Sequence, residues 1–276
     1  MIDTIQQLYP LADNPVPLRG LYLGHALHKK ATGQQPFIYA NFISSLDGRI
    51  GLQDPDQQTH RVPDAIANPR DWRLYQELAA QADILLTSSR YFRQAATNTA
   101  QDLLPIGSEA DFQDLRAWRL QQGLQPQPDI AILSSQLDIP EIALEPYLHR
   151  QIHVFTGNTA PTDKINALQA SGITVHVNPS DSIVNGHYLI EQLKQHKYRS
   201  IYAISGPQVL YTLIKDRVLN RLYLSQTHQI LGGQIFDTFA WGPELKPPVA
   251  LTLNSLYYDT KAPAGAAQWL STFDIK

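Results

Sequence analysis

The sequence predicts a single α/β domain: a mixed, mostly parallel central sheet flanked by helices, with an antiparallel C-terminal strand pair. Two observations predict this class. From residue 37 onward, short apolar runs alternate with amphipathic segments of helical length, which is typical of parallel βαβ units. The last two strand-like runs, residues 248–259 and 266–273, have no helix between them, and this favours antiparallel pairing.

Each element is predicted from its own run of residues. The first strand covers residues 37–43 and ends in the turn-forming residues 44–48, and a polar loop containing Asp54-Pro55-Asp56 follows. A helix should begin at Pro69, because proline suits the first helical position and Asn68 before it is a favourable N-cap. The later strands are expected at 83–87, 129–134, 151–157, 173–177, 200–204 and 221–227, and the helices at 108–123, 161–171, 185–196 and from Pro207. Residues 1–36 show little periodicity and should form an N-terminal arm, with residues 37–276 as one domain.

Composition excludes several classes of protein. Of 276 residues 43% are hydrophobic and only 17% charged, so a large core is expected and disorder is not. The 22 basic and 25 acidic residues give a net charge of -3, which predicts neither a nucleic-acid nor an anionic-membrane partner. The absence of cysteine excludes disulfides, thiol catalysis and thiolate-bound metal. No apolar stretch reaches about 20 residues and no secretory signal is evident, so we expect a cytoplasmic protein.

Candidate functional residues lie at the ends of predicted strands. The chain contains no G-x-G-x-x-G after a strand, no Walker-type loop and no G-x-S-x-G elbow. Ligands of open α/β sheets bind beyond the carboxyl ends of parallel strands, and small polar residues recur there. The hydroxyls and guanidinium of one end, and the helix start of another, suit phosphate groups. The four segments are 44–48, Thr87-Ser88-Ser89-Arg90, Ser205-Gly206-Pro207-Gln208 and Leu231-Gly232-Gly233.

Each of these segments also has a purely structural interpretation. Asp47-Gly48 is a common turn pair, and Gly206-Pro207 resembles many helix starts. His25 and His28 form an isolated H-x-x-H pair, for which a structural or solvated role is expected, and we predict no metal site.

Three segments resemble one family in order and spacing. "ANFISSLDGRI" (40–50) resembles the opening strand of the riboflavin-biosynthesis pyrimidine reductases, whose reductase domain is related in fold to dihydrofolate reductase. Residues 78–93 and 201–233 resemble later segments of that domain. The chain departs from the family at four places. Ser205-Gly206-Pro207 replaces Glu-Gly-Gly, and Thr87-Ser88-Ser89-Arg90 replaces Gly-x-x-Thr. Residues 94–105 lack the substrate element, and the glycine-serine segment after "SLDG" is replaced at 54–64.

The resemblance implies a dihydrofolate reductase-like homodimer that uses NADPH to reduce a phosphoribosylamino-pyrimidine or a similar small-molecule substrate. It also implies roles for individual residues. Asn41, Ser44 and Asp47 would border the nicotinamide and the substrate. The cofactor would be held by Thr87, Ser88, Ser89, Arg90, Ser205, Gly206, Gln208, Leu231 and Gly232.

Two other functions stay open at this point. The departures from the family motifs are compatible with a cofactor- or nucleotide-binding protein of the same fold that has lost catalysis. The third possibility is an α/β enzyme that modifies a sugar or nucleotide without NADPH.

Overall fold

The computed structural model describes residues 3–53, 60–101, 104–262 and 265–276. The predicted loop around Asp54-Pro55-Asp56 lies outside them, as do two residues of the 94–105 segment. The strands are β1 Thr4–Tyr9, β2 Val16–Pro17, β3 Phe37–Ser45, β4 Gly51–Gln53, β5 His60–Arg61, β6 Ile84–Ser88, β7 Asp129–Leu133, β8 Ile152–Gly157, β9 Thr174–Asn178, β10 Ser200–Ala203, β11 Arg221–Thr227, β12 Phe236–Asp237, β13 Leu251–Asp259 and β14 Gln268–Ile275. The helices are α1 Pro69–Ala79, α2 Ser89–Ala96, α3 Gln113–Gln121, α4 Glu141–Leu144, α5 Thr162–Ala170, α6 Gly186–Gln195 and α7 Pro207–Lys215.

The predicted class is confirmed: the sheet strands are mixed but mostly parallel between helices, and β13 pairs antiparallel with β14. The predicted helix starts near Asn68 and Asn185 are also confirmed. The side chain of Asn68 accepts hydrogen bonds from the amides of Arg70 and Asp71 at the start of α1. Asn185 caps α6 in the same way by accepting from the amide of Tyr188, 2.8 Å away.

The predicted end of the first strand, at residue 43, was wrong, and this error affects the candidate site. Ser44 and Ser45 were expected in a turn, but they are the last two residues of β3. They pair with Gln226 and Thr227 of β11, so the ladder continues through both serines. Their side chains are therefore buried, at 1% and 0% exposure.

The chain divides into two compact units, which are described separately. Unit 1 comprises the residues up to Leu27, Ile38–Leu78 and Pro207–Lys276, and unit 2 comprises His28–Phe37 and Ala79–Gly206. The organisation into a 36-residue arm and one domain stays a prediction. Among the described residues, no helix combines the length and the apolar character needed to cross a bilayer.

Unit 1 contains the strand order β2-β1-β13-β14-β11-β3, and β11 and β3 are its parallel pair. Residues of the predicted arm are built into this unit, because β1 pairs with β13. Glu77 of α1 is fully buried and accepts from the amides of Gly20 and Tyr22 at 2.6 and 3.0 Å. Arg73 neutralises it at 3.0 Å, so a buried ion pair fixes the segment after β2.

Unit 2 contains the all-parallel order β10-β6-β7-β8-β9. The fully buried Arg119 of α3 holds the turn that enters β6. Its guanidinium donates to the carbonyls of Ala80 and Ala82 at 3.0 and 2.7 Å, and to that of Gln125 at 2.7 Å. Carbonyls that no helix or strand satisfies are thereby paired away from water.

Candidate functional site

In unit 1 the loop after β3 is tied to the loop after β11 by the side chain of Asp47. Its carboxylate accepts from the Ser45 hydroxyl at 2.5 Å, from the amide of Gly232 at 2.9 Å and from that of Leu231 at 3.3 Å. The structure thus brings together three residues that the sequence assigned to the site: Asp47, Leu231 and Gly232.

Arg49 reinforces the same connection. Its guanidinium lies 3.4 Å from the Asp47 carboxylate, donates to the Gly232 carbonyl at 3.2 Å and stacks 4.2 Å from the centre of the Phe236 ring. The turn between Ser45 and Arg49 needs a positive φ of 81° at Gly48, which explains the glycine after Asp47.

These hydrogen bonds determine the protonation state of Asp47. The Ser45 hydroxyl and the Gly232 amide, followed by the Leu231 amide and Arg49, lower its pKa to about 2. At neutral pH this carboxylate is ionised and its acceptor sites are occupied. Asp47 therefore positions the two loops and is poorly suited to donate a proton.

Asn41 and Ser44 lie on opposite faces of β3, because side chains alternate along a strand. Asn41 is opposite Tyr223 of β11 in the parallel ladder. Tyr39, two residues earlier in β3, lies on the same face as Asn41. That face is covered by α1, because the Tyr39 hydroxyl donates to the carbonyl of Leu78 in that helix at 2.9 Å. Ser44 points away from that helix, so the structure does not bring these two predicted site residues together.

A buried acid on the α1 face was missed by the sequence analysis. Asp71 is only 9% exposed and accepts a short hydrogen bond from the Ser225 hydroxyl of β11. Desolvation raises its pKa to about 6, although the bond from Ser225 opposes the shift. From sequence, Asp71 is an ordinary acidic residue in a first helical turn. Its burial depends on a strand far along the chain.

In unit 2 the carboxyl ends of β6 and β10 lie side by side. Leu86 is level with Ala203 in the parallel ladder, which places Ser88 level with Ser205. The Ser205 hydroxyl donates to the Leu86 carbonyl at 3.1 Å. The expected proximity of the segments beginning at Thr87 and Ser205 is therefore found.

Two further hydroxyls on the same edge were missed. Ser134 follows β7 and Thr156 lies near the end of β8, level with one another in the ladder. They are 7% and 0% exposed, and neither hydroxyl has a hydrogen-bond partner among the described residues. Applying the strand-end criterion to Ser134-Ser135 would have found the first of them. Side chains alternate along a strand, so Ser134 and Thr156 lie on the face of the sheet opposite to Ser88 and Ser205. The pair Ser88 and Ser205 is called the hydroxyl edge.

The hydroxyl edge fits the phosphates of a dinucleotide cofactor. Ser88 precedes α2 in extended conformation, and its side chain makes no capping hydrogen bond in the described structure. The positive end of the α2 dipole lies at this edge, where it would favour a phosphate group. A Cβ built on Gly206 would meet no described atom within 4 Å, which leaves space for a ligand against the backbone.

The remaining predicted cofactor residues have other surroundings. Thr87 is buried within β6, and Arg90 is exposed in the first turn of α2. Arg93 lies 2.9 Å from the Ser89 hydroxyl and 3.9 Å from the Asp138 carboxylate. Gln208, exposed in the first turn of α7, belongs to unit 1.

The chain matches the RibD C-terminal domain family over residues 36–260. Among solved structures, a pyrimidine reductase-like protein from Corynebacterium diphtheriae superposes with a TM-score of 0.66 at 16% identity, covering 95% of this chain and 99% of that one. Acinetobacter baumannii RibD gives 0.58 at 13% identity, covering 88% of this chain and 59% of that one. A Saccharomyces riboflavin biosynthesis reductase gives 0.55 at 14% identity, covering 93% and 99%. No curated protein matches the sequence significantly. The expected dihydrofolate reductase-like fold is confirmed.

The carboxyl groups of Asp71 and Asp47 should change the stability of the protein in opposite directions as pH rises. The folded-state pKa of Asp71 is raised to about 6 from 3.8, so the unfolded chain loses this proton first and stability falls as pH rises from 4 to 6. Asp71→Asn cannot ionise and should be more stable than the parent above pH 6, by up to about 3 kcal/mol. Below pH 4 the two proteins should unfold alike in urea.

Asp47→Asn is the matched comparison. Because the pKa of Asp47 is lowered to about 2, its ionised form stabilises the protein above pH 4, and this contribution is lost as pH falls through 2. The Asn variant should therefore be less stable than the parent at neutral pH. A loss of stability in Asp71→Asn at pH 7, as large as that in Asp47→Asn, would contradict the assignment of the two environments.

Proposed function

Since the chain belongs to the RibD C-terminal domain family, we propose that it is an NADPH-dependent reductase of a pyrimidine- or pterin-type substrate. The specific substrate proposed is 5-amino-6-(5-phosphoribosylamino)uracil. Two structural neighbours named as a pyrimidine reductase-like protein and a riboflavin biosynthesis reductase support this choice. The protein is proposed to be cytoplasmic, without nucleic-acid or membrane partners.

The observation that carries the proposal is the hydroxyl edge of unit 2. Neutral hydroxyls and helix amides, with open space at Gly206, bind phosphate oxygens without needing a cluster of cations. As the resemblance implied, Thr87, Ser88 and Ser89 would hold the cofactor phosphates. Ser205 and Gly206 would approach the pyrophosphate. Arg90 is the cation proposed to select the extra 2′-phosphate of NADPH.

NADPH, when bound, would supply the hydride. The residues of unit 1 would bind and orient the substrate and provide the proton. Asp71 is the proposed proton donor, because an acid with a pKa of about 6 carries a proton in a useful fraction of molecules near neutral pH. Asp47 would hold the loop after β3 against Leu231 and Gly232. Asn41, on the same face of the sheet as Asp71, would border the substrate, whereas Ser44 lies on the opposite face.

A homodimer is part of the proposal. Unit 1 exposes large apolar side chains after β11 and near β12: Ile230 is 75% exposed, Trp241 64% and Ile235 57%. Where exposed apolar side chains form a contiguous patch, the patch marks a protein–protein contact. Burial against a second copy of the chain would remove them from water.

Gly206→Val should weaken NADPH binding by tenfold or more, about 1.4 kcal/mol. The added side chain would fill the space assigned to the pyrophosphate, while the lack of described neighbours within 4 Å predicts little loss of thermal stability. Fluorescence titration with NADPH measures the affinity. Gly24→Val controls for the cost of a β-branched residue, because Gly24, like Gly206, has no positive φ and no described atom within 4 Å of a built Cβ. Unchanged affinity in Gly206→Val would remove this turn from the site.

Turnover tests the activity itself. With 5-amino-6-(5-phosphoribosylamino)uracil, the parent should consume NADPH, and Asp71→Asn should lower kcat by about a hundredfold or more because the proton donor is lost. Its NADPH affinity should stay that of the parent. Binding of NADPH with no turnover on any amino-pyrimidine or pterin would instead favour a protein that has kept the fold and lost catalysis.

A further inference from the structure

Three histidines of unit 2 converge at a place that the reductase proposal does not use. His153 is in β8, His176 in β9 and His196 at the end of α6. One ring nitrogen from each lies within 4.8 Å of those of the other two. His153 and His176 are 2% and 8% exposed, while His196 is exposed to solvent.

The sheet holds two of these imidazoles on one face. His153 pairs with Thr174 in the parallel ladder, and His176 is two residues further along β9, so both side chains point to the same side. Phe155 stacks on the His176 ring at 4.6 Å and an interplanar angle of 16°. The orientation of this pair is therefore fixed by strand register and packing.

A hydrogen-bond chain behind His153 fixes its tautomer. Tyr198 donates to the Asp129 carboxylate at 2.8 Å, so its oxygen accepts from His153 Nε2, 3.0 Å away. With the proton on Nε2, the lone pair of His153 Nδ1 points at His176 Nε2, 3.1 Å away. Metal-binding histidines use the same arrangement, in which a hydrogen bond to the outer nitrogen orients the ring.

We propose that His153, His176 and His196 bind one divalent transition-metal ion, Zn²⁺ being the best fit, with water completing the coordination. Zinc binds histidine nitrogen at about 2.0–2.1 Å and is commonly four-coordinate. Two nitrogens 3.1 Å apart, each at that distance from one ion, subtend an angle of about 100°, near the tetrahedral value. Rotation of the exposed His196 side chain brings in the third ligand.

A hydrogen-bonded network without a metal ion would explain the positions of only two of the three imidazoles. The hydrogen bonds that run from Asp129 through Tyr198 and His153 to His176 account for those two rings. They give no reason for the His196 ring to lie 4.6 Å from that of His153 and 5.2 Å from that of His176. Convergence of all three imidazoles is accounted for when each offers one nitrogen lone pair to a shared ion.

The position of the cluster indicates a structural or regulatory ion. His153 is the second residue of β8, whereas the hydroxyl edge lies at the carboxyl ends of the strands of the same unit. A metal here would link the outer strand β9 to the end of α6. The exposed His196 leaves the ion open to exchange with solvent, unlike a closed four-ligand structural site.

Co²⁺ titration of the full chain, stripped with a chelator and free of any polyhistidine tag, tests the proposal. Visible absorption should saturate at one Co²⁺ per chain, and one equivalent of Zn²⁺ should abolish it. His196→Ala should weaken Co²⁺ affinity by more than about a hundredfold, since even loss of a ligand's hydrogen-bond partner costs 10–100-fold. The exposed position of His196 makes loss of folding an unexpected outcome, and circular dichroism checks it.

His187→Ala is the matched control, because His187 is an exposed histidine of the same helix outside the cluster. It should bind Co²⁺ like the parent. Tyr198→Phe, which removes the hydrogen bond behind His153, should weaken binding about 10–100-fold. Absence of a saturable Co²⁺ band in the parent, or equal affinity in His196→Ala and His187→Ala, would overturn the proposal.

Discussion

One carboxylate, that of Asp47, fixes the geometry on which the candidate site of unit 1 depends. It joins the end of β3 to the loop after β11 through the Ser45 hydroxyl and two backbone amides. Without this connection, two glycine-containing turns would each sample several conformations, and the backbone near Gly232 would not be held for a ligand. An ionised side chain is thus used as a fixed structural element, and its low pKa is the consequence.

The burial of Asp71 produces the opposite result from the same functional group. Asp47 is surrounded by donors and stays ionised, whereas Asp71 has one hydroxyl donor and little access to water, so its proton is retained to higher pH. Pairs of acids whose environments separate their pKa values are typical of sites in which one group transfers a proton. Unit 2 contributes no carboxylate to the proposed site, and Arg90 is the one cation proposed there. The hydroxyl edge and helix amides of this unit suit an anion that must be bound and released.

The sequence predicts what is decided locally and misses what is decided by distant contacts. Asn68-Pro69 and Gly206-Pro207 mark helix starts through their own backbone preferences, and both were located correctly. Ser44 and Ser45 were placed in a turn because their strand character comes from pairing with β11. Asp71 and Ser225 are 154 residues apart, and no local pattern connects them. The three clustered histidines likewise come from separate elements, brought together only by the ladder of β8 and β9 and the end of α6.

A calorimetric titration of the parent with NADPH and with NADH tests the central claim, that this chain binds a phosphorylated nicotinamide cofactor. We expect one NADPH per chain and weaker binding of NADH, with a difference of about 1.5–3 kcal/mol for a charged hydrogen bond to the 2′-phosphate. The difference should shrink in Arg90→Ala. No heat of binding with either cofactor would contradict the account and leave the fold and the family as its only supported parts.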